Sequence, residues 1–179
     1  SIEPTLSLLL GDDAMPYDYL ELVRRYADTL IEKCRDTYGS EHSPLFAVTL
    51  DRRTLKPFDE AGRRMLFEIR LADWENWGIR NADRCFSGSN VMHDQDLFQV
   101  LYALTELTGE KRYATEADRT LQWFFKHCQS PATGLFAWGE HIAWDFFTEG
   151  IVSNQSDDNP FHEFAEPWVL WKRSFDLAE

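Results

Sequence analysis

Residues 97–128 carry the pattern that most limits how this chain can fold. Leu97, Leu101, Leu104 and Leu107 recur every three or four residues, Gly109 interrupts, and Tyr113, Ala117, Leu121, Phe124, Phe125 and Cys128 resume the same spacing. That period puts each set on one face of a helix. Gly109 is a C-terminal stop for the first helix, and Glu110-Lys111 leave too little chain for anything but an antiparallel return. Asn90 or Asp94 can cap the first helix, and Pro131 with Gly134 ends the second. The hairpin therefore presents at its end the loop Gly134–Phe147, GLFAWGEHIAWDFF, dense in aromatic, His and acidic residues.

The rest of the chain fits a helical reading. Tyr17–Tyr38 predicts a helix with Leu20, Val23, Ala27, Leu30, Ile31 and Cys34 as its buried stripe, Asp13 or Asp18 as its cap and Gly39 as its stop. Pro44 and the β-prone Phe46–Leu50 predict a partly extended connection over 44–56. Arg63–Trp77 resumes helical spacing, Asn81–Asn90 and Ile151–Pro160 read as polar loops, and a last helix starts near Glu166. The expected fold is all-α, a single domain over 1–179, built of antiparallel helical hairpins.

Composition narrows the function. A formal charge of −13 opposes binding to nucleic acid, which rests on clustered Lys and Arg. No run of about 18 apolar residues is present, so no membrane span is expected. Seven Trp in 179 residues suggest a large core or stacking platforms for flat ligands. Cys34, Cys85 and Cys128 are odd in number and widely spaced, and are expected as buried free thiols. The short apolar patch Leu6–Leu10 lacks a basic lead and a cleavage site, so the compartment stays open: periplasmic or secreted if a leader has been removed, cytoplasmic otherwise. No phosphate-binding loop, dinucleotide glycine pattern, paired-Cys zinc site or serine elbow occurs, and no organic cofactor is expected.

Three polar clusters remain. His93, Asp94, Gln95 and Asp96 precede the first hairpin helix; capping competes there with a role in chemistry for Asp94 and in substrate contact for His93 and Gln95. Trp138, Glu140, His141, Trp144 and Asp145 form the second. Their four-residue spacings would align His141 with Asp145 on a helix, as a metal-binding or acid–base pair or as a satisfied core histidine. Trp138 and Trp144 are either core or stacking surfaces for a sugar. The third is His162, Glu163 and Glu166; two imidazoles and a carboxylate make a reasonable divalent site if His141 converges with His162 and Glu163.

Four segments carry a family resemblance in chain order: YGSEHSPLFAVTLDRRTLKP, LFQVLYALTELTGEKRYATEA, GLFAWGEHIAWD and FHEF. Over Tyr38–Phe175 they resemble the α/α-toroid pectate lyases and their uncharacterised bacterial relatives. The resemblance implies an (α/α) toroid, of which 179 residues supply about half a ring, so self-association is expected if the ring is incomplete. It implies β-elimination on a uronic-acid polysaccharide, with a divalent cation, Ca or Mn, held by His and Glu. His141, His162 and Glu163 match those ligands by position, and Arg84 is the loop candidate for the base, with ordinary charge pairing as its competing role. Glu140 stands where the family usually has a second Gly, and the segment before the hairpin is richer in acid. Two other readings stay open: a six-hairpin glycoside hydrolase pairing Asp94 or Asp96 with Asp145, and a non-catalytic sugar-binding helical module using Trp138 and Trp144.

Overall fold

The computed structural model describes residues 18–57, 88–139, 142–153 and 167–178. Among them lie four helices and three short strands: α1 (Tyr19–Lys33), β1 (Gly88–Ser89), α2 (Gln95–Thr108), α3 (Arg112–His127), β2 (Ile142–Asp145), β3 (Gly150–Ser153) and α4 (Trp171–Ala178). The helix expected over Arg63–Trp77 and Cys85 fall outside the described residues.

The hairpin forms where its spacing places it. Gly109 sits in the left-handed region at φ 76° and donates its N–H to the Thr105 carbonyl, closing α2. The Thr105 hydroxyl fastens the turn, accepting from the Ala114 N–H at 2.9 Å and donating to the Glu110 carbonyl at 3.0 Å. Phe98, Leu101 and Leu104 from α2 are buried, as are Tyr113, Ala117, Leu121, Phe124 and Cys128 from α3. Each large apolar side chain so buried contributes about 1.5–3 kcal/mol. Leu107, the last member of the expected stripe, is exposed.

α1 packs on α2, and α4 packs on α3. Asp18 caps α1, its carboxylate accepting from the Glu21 N–H at 3.0 Å. The helix ends at Lys33, five residues before the expected Tyr38, because the chain turns into backbone pairing with the next segment. The Ala47 N–H donates to the Cys34 carbonyl at 2.9 Å, and Arg35 pairs with Phe46. Only the C-terminal half of the α1 stripe is covered: Ala27 and Cys34 are buried, whereas Leu20 and Val23 are exposed. Arg35 locks this corner, donating to the Ile31 and Pro44 carbonyls, the Thr120 hydroxyl and the Glu116 carboxylate, with its guanidinium 3.6 Å from the Phe46 ring centre. The 44–56 segment is only partly extended: residues 52–55 make a turn closed by the Asp51–Lys56 bridge, and pairing is by isolated bridges rather than a strand. Cys34 and Cys128 are buried free thiols.

The all-α expectation is corrected by a three-stranded antiparallel sheet in the order β1-β2-β3. Gly88 pairs with Asp145 and Ser89 with Trp144; on the other side of β2, Ile142–Asp145 pairs with Ser153–Gly150. The Ile151–Pro160 loop thus begins as a strand, and Trp144 and Asp145, whose four-residue spacings to Glu140 and His141 suit a helix, are extended in β2. Short runs of aromatic and β-branched residues joined by a four-residue turn favour the ladder. Gly88 is required there, since a Cβ at this position would lie 1.9 Å from the Trp144 carbonyl oxygen. One helical hairpin with two flanking helices and a small sheet is what the described residues contain, not a ring of hairpins.

Two carboxylates hold the loop between α1 and the extended segment. Asp36 accepts from the N–H groups of Tyr38 and Ser43 and from the Ser43 hydroxyl. Glu149, at the end of the β2–β3 turn, accepts from the Ser40 N–H and hydroxyl and from the Glu41 N–H. Tyr38 stacks on Phe147 at 4.3 Å between ring centres, joining loop to turn.

Candidate functional site

The N-terminal end of α2 is where the separate clusters of the sequence meet. Asn90 is buried, and its side chain does two things. The Oδ1 accepts from the Met92 N–H at 3.1 Å, shaping the turn that leads into α2, and the Nδ2 donates to the Gly139 carbonyl at 3.0 Å. That second bond ties the start of the hairpin to the loop beyond its far helix. Ser89 adds a further link: its backbone pairs with Trp144, and its hydroxyl donates to the Asp94 carboxylate at 3.4 Å. Gln95 is buried and accepts from the Val169 N–H at 2.9 Å, drawing in the approach to α4.

Asp94 occupies the N-cap position of α2 but makes no side-chain capping hydrogen bond. Its carboxyl instead lines a cavity of about 330 Å³ with His93, Asp96, Cys34 and apolar residues of α1 and the 46–50 segment. Burial pushes its pKa up to about 8, against the smaller opposing effects of the Ser89 hydroxyl and the Arg35 charge. A carboxyl in that state holds its proton near neutral pH. His93 and Asp96 lie at the exposed edge of the same cavity, Asp96 accepting from the Gln99 amide at 3.2 Å.

Asp145 is buried in β2, and one oxygen of its carboxylate accepts from the N–H groups of Phe147 and Thr148 at 2.9 Å each and from the Thr148 hydroxyl at 3.2 Å. It shapes the β2–β3 turn. Trp138 packs edge-on against Trp168 at 5.0 Å between centres, and Trp168 in turn meets Phe125. Trp144 meets Trp123 edge-on at 5.0 Å, and Trp123 stacks on His127 at 4.3 Å. Both indoles are partly buried, so each offers a margin of ring rather than an open face. The Trp144 Nε1–H is buried with no hydrogen-bond partner among the described residues.

Arg84, His141, His162 and Glu163 lie outside the described residues. Among the described residues no group of three or more His, Cys, Asp or Glu is placed to hold a metal ion. The described neighbours of His141 in the chain are both fixed: Gly139 by Asn90, and Ile142 by the β2–β3 ladder. Ser89 and Glu149 were not singled out from the sequence. Neither stands in a spacing that marks it; each acquires its role from a partner more than 50 positions away or on a neighbouring loop, except that Glu149-Gly150 carries the composition of a turn.

Comparison with known proteins follows the same stretch. A curated protein, glucose starvation modulator protein 1 of Clavispora lusitaniae (strain ATCC 42720), is 26% identical over 159 residues, which take in 83% of this chain. The chain spans 31% of the length of that relative. The family model described as periplasmic pectate lyase matches residues 69–170. That match takes in β1, the whole α2–α3 hairpin, β2, β3 and both tryptophans of the site. Covering more than half of the 179 residues, it places the chain in the periplasmic pectate lyase family.

Proposed function

We propose that the chain serves as a polysaccharide lyase acting on a uronic-acid polymer by metal-assisted β-elimination. The observation that carries this reading is the family match over 69–170, which coincides with the elements gathered at the start of α2. Elimination removes the proton on C5, breaks the C4–O bond and leaves a C4=C5 double bond at the new non-reducing end. The donor set proposed for the cation, His141, His162 and Glu163, fits a divalent ion by its chemistry, two imidazoles and a carboxylate. When bound, such an ion neutralises the uronate carboxylate and acidifies the adjacent C5 proton.

The chain's own residues then have separable tasks. Asn90 and the β2–β3 ladder fix the backbone on either side of His141. Arg84 is the proposed base for the C5 proton. The ring margins of Trp138 and Trp144 are the proposed stacking surfaces, and His93 and Gln95 the proposed polar contacts, although Gln95 already serves Val169 with its carbonyl oxygen. The test is incubation with polygalacturonate and Ca²⁺ or Mn²⁺, following the ultraviolet absorbance of the unsaturated product. A rising trace that chelation abolishes supports the proposal. A flat trace with reducing ends released from neutral glycans refutes it, and binding without turnover favours a sugar-binding module.

One observation favours the hydrolytic alternative. Asp94 is held protonated near neutral pH, the state a general acid requires. Its proposed partner Asp145 has an oxygen already committed to three donors of its own turn.

A further inference from the structure

The cavity beside Asp94 has walls unlike those of a sugar site. Leu30, Phe46, Val48, Leu50, Leu97 and Val100 line it with carbon. Its volume of about 330 Å³ falls at the lower end of the roughly 300–1,000 Å³ typical of small-molecule pockets. Among the described residues the ionisable groups on its wall are Asp94, Asp96, His93, Tyr26 and Cys34, with no lysine or arginine. The Cys34 thiol is used locally, donating to the Ala47 carbonyl at 3.2 Å.

Asp94 has no ion-pair partner among the described residues. Arg35 is the cation whose charge reaches it, but four of its five N–H donors are taken by Ile31, Pro44, Thr120 and Glu116. A uronate placed here would find no cation on the described lining for its carboxylate and would leave its hydroxyls facing carbon. A neutral apolar molecule would fill the walls and offer the Asp94 carboxyl no polar partner. An ammonium group on an apolar body satisfies both halves of the lining.

We infer that this cavity is a binding site for a small organic ammonium ion, with its charged head on Asp94 and its apolar body against Leu30, Leu97 and Val100. The cavity shares His93 with the proposed polysaccharide contacts, but ammonium binding in it does not depend on the lyase reading. The raised Asp94 pKa accords with it, since an arriving ammonium ion would offset the desolvation of the carboxylate as its proton leaves.

Isothermal titration of the intact chain tests the inference, with phenethylammonium as probe, phenethyl alcohol as its neutral near-isostere and ammonium chloride as the salt control. The expected result is that phenethylammonium binds roughly tenfold or more tightly than the alcohol, a gap of about 1.4 kcal/mol or more, while ammonium chloride gives no saturable heat. Asp94→Asn should bring phenethylammonium down to the level of the alcohol. Should that variant fail to fold, Val100→Phe keeps Asp94, fills the cavity from its edge and should abolish binding of both probes. Equal affinity for the two probes would overturn the inference, as would no binding of phenethylammonium up to millimolar concentration. Parental affinity for phenethylammonium in Asp94→Asn, or binding of either probe to Val100→Phe, would do the same.

Discussion

Asn90→Ala separates the two halves of the site on paper and should do so in solution. The substitution removes the acceptor of the Met92 N–H and the donor to the Gly139 carbonyl, and Met92, Gly139 and Asn90 are all buried. Each buried backbone group left without its partner costs about 1–3 kcal/mol. Two such groups give roughly 2–6 kcal/mol, a large share of the 5–15 kcal/mol that holds an ordinary domain together. Urea unfolding followed by tryptophan fluorescence measures the loss as a lower midpoint with an unchanged slope. Asn90→Asp is the sharper companion, because it keeps the oxygen for Met92 but sets a carboxylate oxygen against the Gly139 carbonyl. It should be destabilised as well, and more so at pH 7 than at pH 4. A loss below about 1 kcal/mol for Asn90→Ala would refute the argument, since it would mean that water or the relaxed loop satisfies both groups.

Asp94 has a folded-state pKa above its unfolded value of 3.8, so the stability it contributes is complete below that value and is lost as pH rises toward about 8. Asp94→Asn should therefore gain stability relative to the parent as pH rises from 4 to 8, read by urea midpoints across that range; a constant difference would count against a desolvated carboxyl. Glu149 shows the opposite sign. Its pKa is lowered, chiefly by the Glu41 and Ser40 N–H groups, so its contribution is present at neutral pH and lost on acidification through the glutamate range, a loss that Glu149→Gln should flatten in acid-unfolding curves. Gly88→Ala would force a methyl to 1.9 Å from the Trp144 carbonyl and should cost about 1–3 kcal/mol or more, with faster hydrogen exchange at the β1–β2 pairing. Unchanged exchange there would show that β1 can shift aside.

The hairpin was legible because both helices carry a continuous apolar stripe and Gly109 separates them, so local pattern and tertiary packing agree. The capping residue of α1, Asp18, and the two buried thiols followed from the same logic. The sheet was not legible for a physical reason. β1 has two residues and β2 and β3 four each, too few for a period to declare itself, and the pairing of Ser89 with Trp144 joins residues with the whole hairpin between them. The end of α1 was misplaced because Arg35 and Cys34 pair with a segment whose approach the helix pattern does not encode. At the site, Asp94 reads as a cap by every local rule. Its carboxyl turns instead to Ser89 and a cavity built by α1, which only the tertiary fold supplies.

The distance in sequence between β1 and its partner has a kinetic consequence. Closing the α2–α3 turn brings together neighbours along the chain, whereas seating Ser89 on Trp144 closes a loop spanning both helices. The helical pair should form early, in the rate-limiting nucleus, with the three strands adding afterwards. Weakening Leu101 or Leu121 would then slow refolding, while weakening the Gly88–Asp145 pairing would chiefly hasten unfolding. The residues gathered at the start of α2 would be assembled last and released first, which makes that end of the molecule the one whose lifetime its partners can prolong.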